Sequence, residues 1–322
     1  MRAFRFSSCE PKRQVTMAPP ISLFRGTGAM FSNIWHVVGF AEWCRINNKK
    51  PLVDLLTVKA MNSWSGAVPR NSWTEYFAQV SEEDLEQVLA TGNYEVFEGR
   101  PRVFPIAEYS TSLQYRRAFH DTIVLSEKSQ DFIRPWLEFL AEEGHVLGVH
   151  MRGSDMKIAK SHWAPPTNFQ IFKLVDEALE RSDFDKIFVA SEDEKSLNRI
   201  RARYGRRLLT SDSFRTREKK KLTRSVSPVI QWQFVLGMQV IRDAWMLSRC
   251  EGLVSGHSNV SEHAQVLRTN PYSVNLQIRR PRVDVWGSSR LAIAFTNLLR
   301  EATVSRKRGP DFKVIDRSGV SG

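Results

Sequence analysis

Apolar residues along this chain occur in short runs that polar or glycine-rich stretches separate. The clearest run is Val146-Leu147-Gly148-Val149, which contains no charge. A short run without polar alternation predicts a strand buried on both faces, as in a parallel sheet. Beyond residue 144, stretches of helical spacing alternate with such runs, which predicts alternating strands and helices. The predicted elements are strand 146–150, helix 168–181, strand 186–190, helix 195–204, strand 207–210, helix 229–248, strand 253–255, helix 261–268 and strand 272–275.

A smaller unit of the same kind precedes residue 144. It predicts one strand–helix–strand crossover, in which a glycine-containing loop feeds the helix. An acidic helix that starts at Ser81, with Asp84 three residues on, follows it. The crossover comprises strand 21–24, loop 25–33, helix 34–47 and strand 51–55, and two helical stretches lie within 111–143.

Two alternating units predict an α/β protein with parallel sheets. The length of 322 residues agrees with two domains, because single cores usually split beyond about 250–300 residues. The predicted organisation is a disordered N-terminus (1–20), an N-terminal α/β domain (21–143), a C-terminal domain with a doubly wound sheet (144–285), and a C-terminal helix with a basic tail (286–322).

The net charge of +12 predicts anionic partners. Much of the basic excess lies in residues 199–224 and 306–308. No RNA-binding motif or zinc-finger spacing accompanies it, so we expect no nucleic-acid partner. Three dispersed cysteines without a CxxC pair indicate a reducing compartment. We therefore expect a cytoplasmic protein, and its charge is compatible with peripheral contact with the anionic surface of the inner membrane.

Polar residues follow three of the predicted strands, at His150–Asp155, Ser191–Glu194 and Gly256–Ser261. In open parallel sheets the ligand crevice lies at the carboxyl ends of the strands. Arg152 offers a rigid fork of donors that matches phosphate oxygens, and Gly153 lets a ligand approach the backbone. From these residues alone, an Arg152 that merely pairs with Asp155 at the surface is an equal alternative.

This set of residues suits a nucleoside diphosphate. The Ser258 hydroxyl and the N–H groups near Val260 and Ser261 would hold phosphate at a helix N-terminus. Arg152 would neutralise the leaving diphosphate, an effect of about 3 kcal/mol for one well-placed donor. No Asp-x-Asp follows a strand, so we expect no metal and no other cofactor. Gly26-x-Gly28 also feeds a helix, but it lacks the third glycine of the dinucleotide fingerprint.

His150-Met151-Arg152-Gly153-Ser154-Asp155 resembles the H-x-R-x-[ST]-D motif of the GDP-fucose-dependent fucosyltransferase superfamily. That superfamily includes α1,2-, α1,6- and protein O-fucosyltransferases and the nodulation fucosyltransferase. Three further segments resemble its patterns, and together they span roughly residues 20–280. They are the strand end 187–193, the pair 243–248 and 258–261, and the glycine-loop unit 25–33 with 51–54.

The resemblance implies a GT-B-like pair of Rossmann-type domains with parallel sheets, in which residues 21–143 form the acceptor side and residues 144–285 bind the GDP-sugar. It also implies metal-independent, inverting transfer of fucose from GDP-fucose to a saccharide hydroxyl. It matches Arg152 to the arginine that contacts the β-phosphate. Glu192, Asp193 and Asp243 match nucleotide-binding acids, and Ser258 matches the motif serine. The residues expected to bind the nucleotide sugar are Gly26, Gly28, Asn33, His150, Arg152, Gly153, Ser191, Glu192, Asp193, Asp243, Ser258, Asn259, Val260 and Ser261.

Two departures from the family pattern bear on the chemistry. The α1,6 enzymes carry two adjacent arginines, and Gly153 replaces the second here, which leaves the linkage open. The acidic general base that some members place after the motif is absent. His162 stands near that place and is one candidate base, since neutral imidazole accepts protons near pH 7. Asp155 is the other candidate, so the expected catalytic residues are Arg152, Asp155 and His162.

Two other functions fit parts of the sequence. A non-catalytic Rossmann-type module that binds a nucleotide or a polyanion would use the same crevice and the basic residues. Salt-dependent oligonucleotide binding that ignores GDP would identify it. A dinucleotide-dependent dehydrogenase would need a complete G-x-G-x-x-G, which is missing. The aromatic residues Trp64, Trp73, Tyr76 and Phe77 either stack on sugars or belong to the core, and the core is favoured.

Overall fold

The computed structural model describes residues 19–26, 30–55, 71–97, 101, 103–104, 112–152, 166–215, 232–279 and 313–319. These residues form a three-stranded and a six-stranded sheet with helices around them. The elements are β1 (Ile21–Phe24), α1 (Met30–Ile46), β2 (Lys50–Val53), α2 (Leu85–Thr91), β3 (Glu95–Phe97), α3 (Leu113–Thr122), α4 (Glu127–Glu142), β4 (Val146–Met151), α5 (Asn168–Arg181), β5 (Lys186–Ser191), α6 (Glu194–Tyr204), a 3₁₀ turn (Gly205–Arg207), β6 (Leu208–Thr210), α7 (Trp232–Arg249), β7 (Gly252–Gly256), α8 (Asn259–Leu267), β8 (Val274–Arg279) and β9 (Lys313–Asp316).

The six-stranded sheet has the order β6-β5-β4-β7-β8-β9. Its first five strands are parallel, and β9 pairs antiparallel with β8. The chain runs outward from β4 to β5 and β6, and then returns to β7 on the other side of β4. The strand order therefore reverses between β4 and β7, and open α/β sheets bind ligands beside such a reversal.

Helices cover both faces of this sheet. On one face, α5 and α6 bury residues such as Leu174 and Leu197 against Val149 of β4. On the other face, α7 and α8 contribute to a second cluster through residues such as Leu247 and Ala264. Burial on both faces explains the uninterrupted apolar runs of β4, β5 and β7.

The three parallel strands of the small sheet have the order β2-β1-β3. Its helix α1 is almost wholly buried, and the core continues from α1 into α8. The ring of His263 in α8 lies 4.0 Å from that of Trp35, 4.8 Å from that of Phe31 and 5.8 Å from that of Phe119. The predicted domain boundary at residues 143 and 144 stays a prediction.

The predicted fold class is confirmed, while several element boundaries were wrong. Strands β3 and β9 were not predicted from the sequence. Helix α2 begins after Asp84, whose side chain accepts from the N–H of Gln87, and not at Ser81. Trp73, Tyr76 and Phe77 are buried, which confirms their assignment to the core, and Trp64 lies outside the described residues. Every helix of the described ranges is too short or too polar to cross a bilayer.

Candidate functional site

A cleft that is partly open to solvent lies at the carboxyl ends of β4 and β5. This cleft is lined by six of the residues that the sequence predicted for the site. Residues far apart in the chain therefore meet where the topology predicts a ligand. These six are His150, Arg152, Ser191, Glu192, Asp243 and Val260.

Strand β4 brings Arg152 to the cleft. All six residues of β4 are buried, and Arg152 is the second residue after His150 and the first beyond the strand. Burial, together with a smaller effect of the positive charge of Arg152, lowers the pKa of His150 to about 3. His150 is therefore neutral at pH 7, and Arg152 supplies the positive charge at this end of β4.

Helix α8 begins beside the end of β4, across the reversal of strand order. The Ser258 hydroxyl lies 3.1 Å from Nδ1 of His150 and accepts from the N–H of Ser261 at 3.2 Å. Ser258 is thus the N-cap of α8. The Ser261 hydroxyl donates to the carbonyl of Gly256 at 2.9 Å, so it serves the turn itself. Val260 lines the cleft, which places the first turn of α8 at the site.

Replacing Ser258 with alanine is expected to lower the free energy of unfolding by about 1–2 kcal/mol, because the N-cap bond is lost and Nδ1 of buried His150 loses its partner. Urea unfolding at pH 7 measures the change. Ser273→Ala is the control, because the exposed Ser273 hydroxyl bonds only to the carbonyl of Glu251; its effect is expected within about 0.5 kcal/mol. Equal effects of both substitutions would contradict the capping role.

The acidic residues after β5 have different surroundings. Asp193 is the N-cap of α6, and its carboxylate accepts from the N–H of Lys195 at 3.0 Å and from the Ser196 hydroxyl at 2.8 Å. Its carboxylate is therefore engaged by the helix start. Glu192 and Ser191 line the cleft instead. Both acidic residues stay predicted nucleotide-binding positions, and Glu192 is the one of the two that lines the cleft.

Helix α7 holds a loop segment, residues 211–215, as one wall of the cleft. The fully buried guanidinium of Arg242 pairs with Asp212 and donates to the Ser213 hydroxyl at 2.6 Å. It also lies 4.4 Å from the centre of the Trp136 ring. A buried arginine needs such partners, because an unpaired buried charge costs several kcal/mol. The wall is thus fixed from behind by a polar network.

Two further bonds place side chains on the cleft side of this wall. The Asp243 carboxylate accepts from the Ser211 hydroxyl at 3.0 Å, and the Gln239 side chain accepts from the N–H of Phe214 at 3.0 Å. Burial raises the pKa of Asp243, and Arg242 and Ser211 oppose that rise. The Phe214 ring lines the cleft and remains 37% exposed.

Sequence reasoning identified Asp243 and missed its neighbours at the site. Phe214, Ser213 and Gln239 line the cleft but belong to no motif. The sequence contains one indication of the role of Arg242, because a charged pair at positions 242 and 243 interrupts an otherwise largely apolar helix pattern. That signal predicts a buried polar network without indicating what the network holds.

A second polar network lies behind the start of α8. Glu262 accepts from the Gln277 amide at 2.7 Å and lies 3.1 Å from Nδ1 of His257 and 3.4 Å from Nη1 of Arg317. It ties the end of β7 to α8, to β8 and to the residue after β9. Sequence analysis did not identify it, because its members are far apart in the chain.

The crossover of the small sheet contains two other predicted residues, Gly26 after β1 and Asn33 in the first turn of α1, which begins at Met30 and not at residue 34 as predicted. A side chain at Gly26 would put its Cβ 2.6 Å from Oδ1 of buried Asn33, so glycine is required for this close contact. Asn259 is exposed at the start of α8. The predicted site residues Gly28, Gly153, Asp155 and His162 lie outside the described residues. Over the described ranges, no three His, Cys, Asp or Glu side chains converge as metal ligands; a metal-free site stays a prediction.

Comparison with known proteins identifies the fold. A structure of NodZ α-1,6-fucosyltransferase soaked with GDP-fucose matches 92% of this chain and 99% of its own, with a TM-score of 0.58 and 12% identity. The chain has the NodZ fold. NodZ from Bradyrhizobium matches 81% of this chain and 95% of its own, with a TM-score of 0.54 and 12% identity. NodZ co-crystallised with GDP gives a TM-score of 0.52 at 12% identity over 82% and 95% of the two chains.

The NodZ likeness confirms the GT-B-like arrangement that the sequence predicted. At 12% identity it establishes the fold and leaves the activity to the residues of the site. No protein-family model and no curated protein matches the sequence.

Proposed function

We propose that this protein is a glycosyltransferase that transfers fucose from GDP-fucose to a saccharide hydroxyl by metal-independent, inverting transfer. The observation that supports it most is the position of Arg152. This arginine follows the strand at which the sheet order reverses, in a cleft that Glu192 and Asp243 also line. The NodZ fold supports the same reaction, because one NodZ crystal was soaked with GDP-fucose.

Arg152 and the first turn of α8 would hold the diphosphate. In the transfer, the bond between the sugar C1 and the β-phosphate oxygen breaks, and negative charge grows on the phosphate. A guanidinium stabilises that charge more in the transition state than in the bound donor. The N-terminus of α8, with Val260 at the cleft, adds partial positive charge.

The wall formed by α7 and residues 211–215 suits a purine base. Phe214 and Val240 expose 37% and 38% of their surfaces there, and a base can stack on such apolar surface. Asp243 and Gln239 place side-chain oxygens beside it. Guanine carries an exocyclic amine that donates hydrogen bonds, so a carboxylate accepts from it. We therefore expect the cleft to prefer GDP over ADP and UDP.

The acceptor must lose a proton as its oxygen attacks C1 from the face opposite the leaving diphosphate. A base within hydrogen-bond reach of that hydroxyl performs this step. Asp155 and His162 remain the proposed bases. Asp155→Asn and His162→Gln would keep GDP binding, and the one that removes transfer identifies the base.

GDP is expected to raise the melting temperature, with and without EDTA, more than UDP, CDP, ADP or NAD. A hundred-fold excess over Kd adds about 2.7 kcal/mol to the free energy of unfolding. Phe214→Ala is expected to reduce the GDP shift, because the base loses its stacking surface. Phe139→Ala on α4 is the matched control, since that ring is similarly exposed, at 38%, away from the cleft; its GDP shift is expected unchanged.

Two outcomes would overturn the proposal. A shift with UDP alone would retain a glycosyltransferase and discard GDP-fucose as its donor. No shift with any nucleotide, together with salt-dependent binding of an oligonucleotide, would favour the non-catalytic polyanion-binding module.

A further inference from the structure

The positive charge of this protein is concentrated in one segment. Residues 195–224 contain twelve Lys and Arg residues and two acidic residues, a net charge of +10. The whole chain has a net charge of +12, so the rest is close to balance. A local excess of this size indicates a surface that meets an anionic partner.

Helix α6 and the 3₁₀ turn after it present the described part of this charge to solvent. Leu197 and Ile200 are buried against the sheet. Lys195, Arg199 and Arg203 stand four residues apart on another side of the helix, and all three are exposed. Residues four apart share one helix face, so they form a stripe. Exposed Arg206 follows in the turn.

Few carboxylates neutralise this basic stripe. Asp176 pairs with Arg203. Over the described ranges, no carboxylate lies within ion-pairing distance of Lys195, Arg199 or Arg206. The charges of Lys195, Arg199 and Arg206 are therefore not neutralised by carboxylates of the described residues, and an anionic surface would pair with them.

An exposed aromatic ring borders the stripe. Phe169, in the first turn of α5, is 65% exposed, the largest value among the exposed apolar side chains described. Its neighbour Asn168 lies 3.0 Å from the hydroxyl of Ser196 in α6. Basic residues beside an exposed aromatic are typical of proteins that lie on membrane surfaces, because the ring enters the headgroup region while the cations meet anionic lipids.

We propose that the basic stripe of α6, with Phe169 at its edge, docks the protein on an anionic phospholipid surface. This surface is separate from the cleft residues and does not depend on the proposed transfer reaction. The attraction is electrostatic, so it falls as salt rises. Each Lys or Arg at such a surface contributes about five-fold in affinity, the equivalent of about 1 kcal/mol.

Sedimentation of the full chain with vesicles of phosphatidylcholine, with and without 30% phosphatidylglycerol, tests the proposal. Binding is expected only with the anionic lipid. The triple variant Lys195→Gln, Arg199→Gln, Arg206→Gln is expected to bind about 100-fold more weakly. The control triple variant Lys128→Gln, Arg134→Gln, Arg249→Gln removes the same charge from α4 and the end of α7, and it is expected to stay within about three-fold of wild type.

The Phe169→Ser variant distinguishes binding to a membrane from binding to another polyanion. It is expected to weaken vesicle binding several-fold, because the ring no longer enters the headgroup region. Equal binding to neutral vesicles, or equal losses in the two triple variants, would overturn the proposal. So would an oligonucleotide that binds more tightly than the vesicles and displaces the protein from them. GDP is expected to raise the melting temperature of the Lys195, Arg199, Arg206 triple variant as much as that of wild type. If GDP raised the melting temperature of neither protein, that result would count against the proposed transferase and not against the membrane contact.

Discussion

Replacement of Arg152 with alanine is expected to weaken GDP binding and to lower the rate of GDP release from GDP-fucose by about 10²–10³-fold, the usual effect of removing one preorganised charge donor. Arg152 follows β4 directly and lines the cleft, while burial keeps the pKa of its neighbour His150 near 3. His150 therefore cannot replace the lost charge at pH 7. Calorimetry gives the GDP affinity, and GDP release with water or mixed oligosaccharides as acceptor gives the rate.

Two variants make the Arg152 test specific. Arg152→Lys keeps the charge and loses the planar fork of donors, so an intermediate loss is expected if phosphate is held at two oxygens. Arg134→Ala is the control, because exposed Arg134 pairs only with Asp131 on the surface of α4; both quantities are expected unchanged. An Arg152→Ala protein with wild-type GDP affinity and turnover would refute the proposed donor site.

Acidification from pH 7 to pH 5 is expected to lower the free energy of unfolding by about 4 kcal/mol through two buried histidines. Each contributes about 2 kcal/mol, because its pKa is near 6.5 in the unfolded chain and near 3 in the folded protein. Burial lowers the pKa of both His150 and His263 to about 3. A depressed folded-state pKa contributes stability above the unfolded pKa, and this stability is lost as the pH falls toward 3. Asp243 acts in the opposite direction, because burial raises its pKa.

His263→Phe isolates one of the two contributions. The His263 ring packs among Phe31, Trp35 and Phe119, and its buried Nε2 has no hydrogen-bond partner among the described residues. A phenyl ring therefore suits the site, although it loses the contact of Nδ1 with the Asn259 carbonyl at 2.6 Å. Urea unfolding of the His263→Phe protein at pH 7 and pH 5 measures the free energy of unfolding that is lost on acidification. The part of this loss that the two histidines cause in wild type is expected to fall to about half. His145→Gln, at an exposed position before β4, is expected to change nothing. If the His263→Phe protein lost as much free energy of unfolding on acidification as the wild type, the prediction would be contradicted.

The structure also explains why the cleft is rigid on one side. Arg242 is fully buried and pairs with Asp212, whose side chain is 68% exposed. Such a pair holds residues 211–215 on α7 at the cost of burying a charge. That cost is reasonable at the proposed donor site, where the positions of Phe214 and Asp243 would decide which base fits.

Local sequence pattern determined much of this protein. Apolar runs such as residues 146–149 predicted buried parallel strands, because a strand covered on both faces carries no polar alternation. The polar residues after three strands predicted the site, because parallel strands end on the same edge of a sheet. His150, Arg152, Glu192 and Asp243 meet at one cleft as that reasoning requires.

Only the tertiary structure decided which side chains face the cleft. Asp193 and Glu192 are adjacent in sequence, yet Asp193 caps α6 and Glu192 lines the cleft. Phe214 and Gln239 reach the cleft because a buried arginine fastens one segment to another helix. Strands β3 and β9 exist only through their partners, since three or four residues form a strand only when a neighbouring strand accepts their hydrogen bonds. Such features depend on contacts between distant residues, and a local pattern contains no information about those contacts.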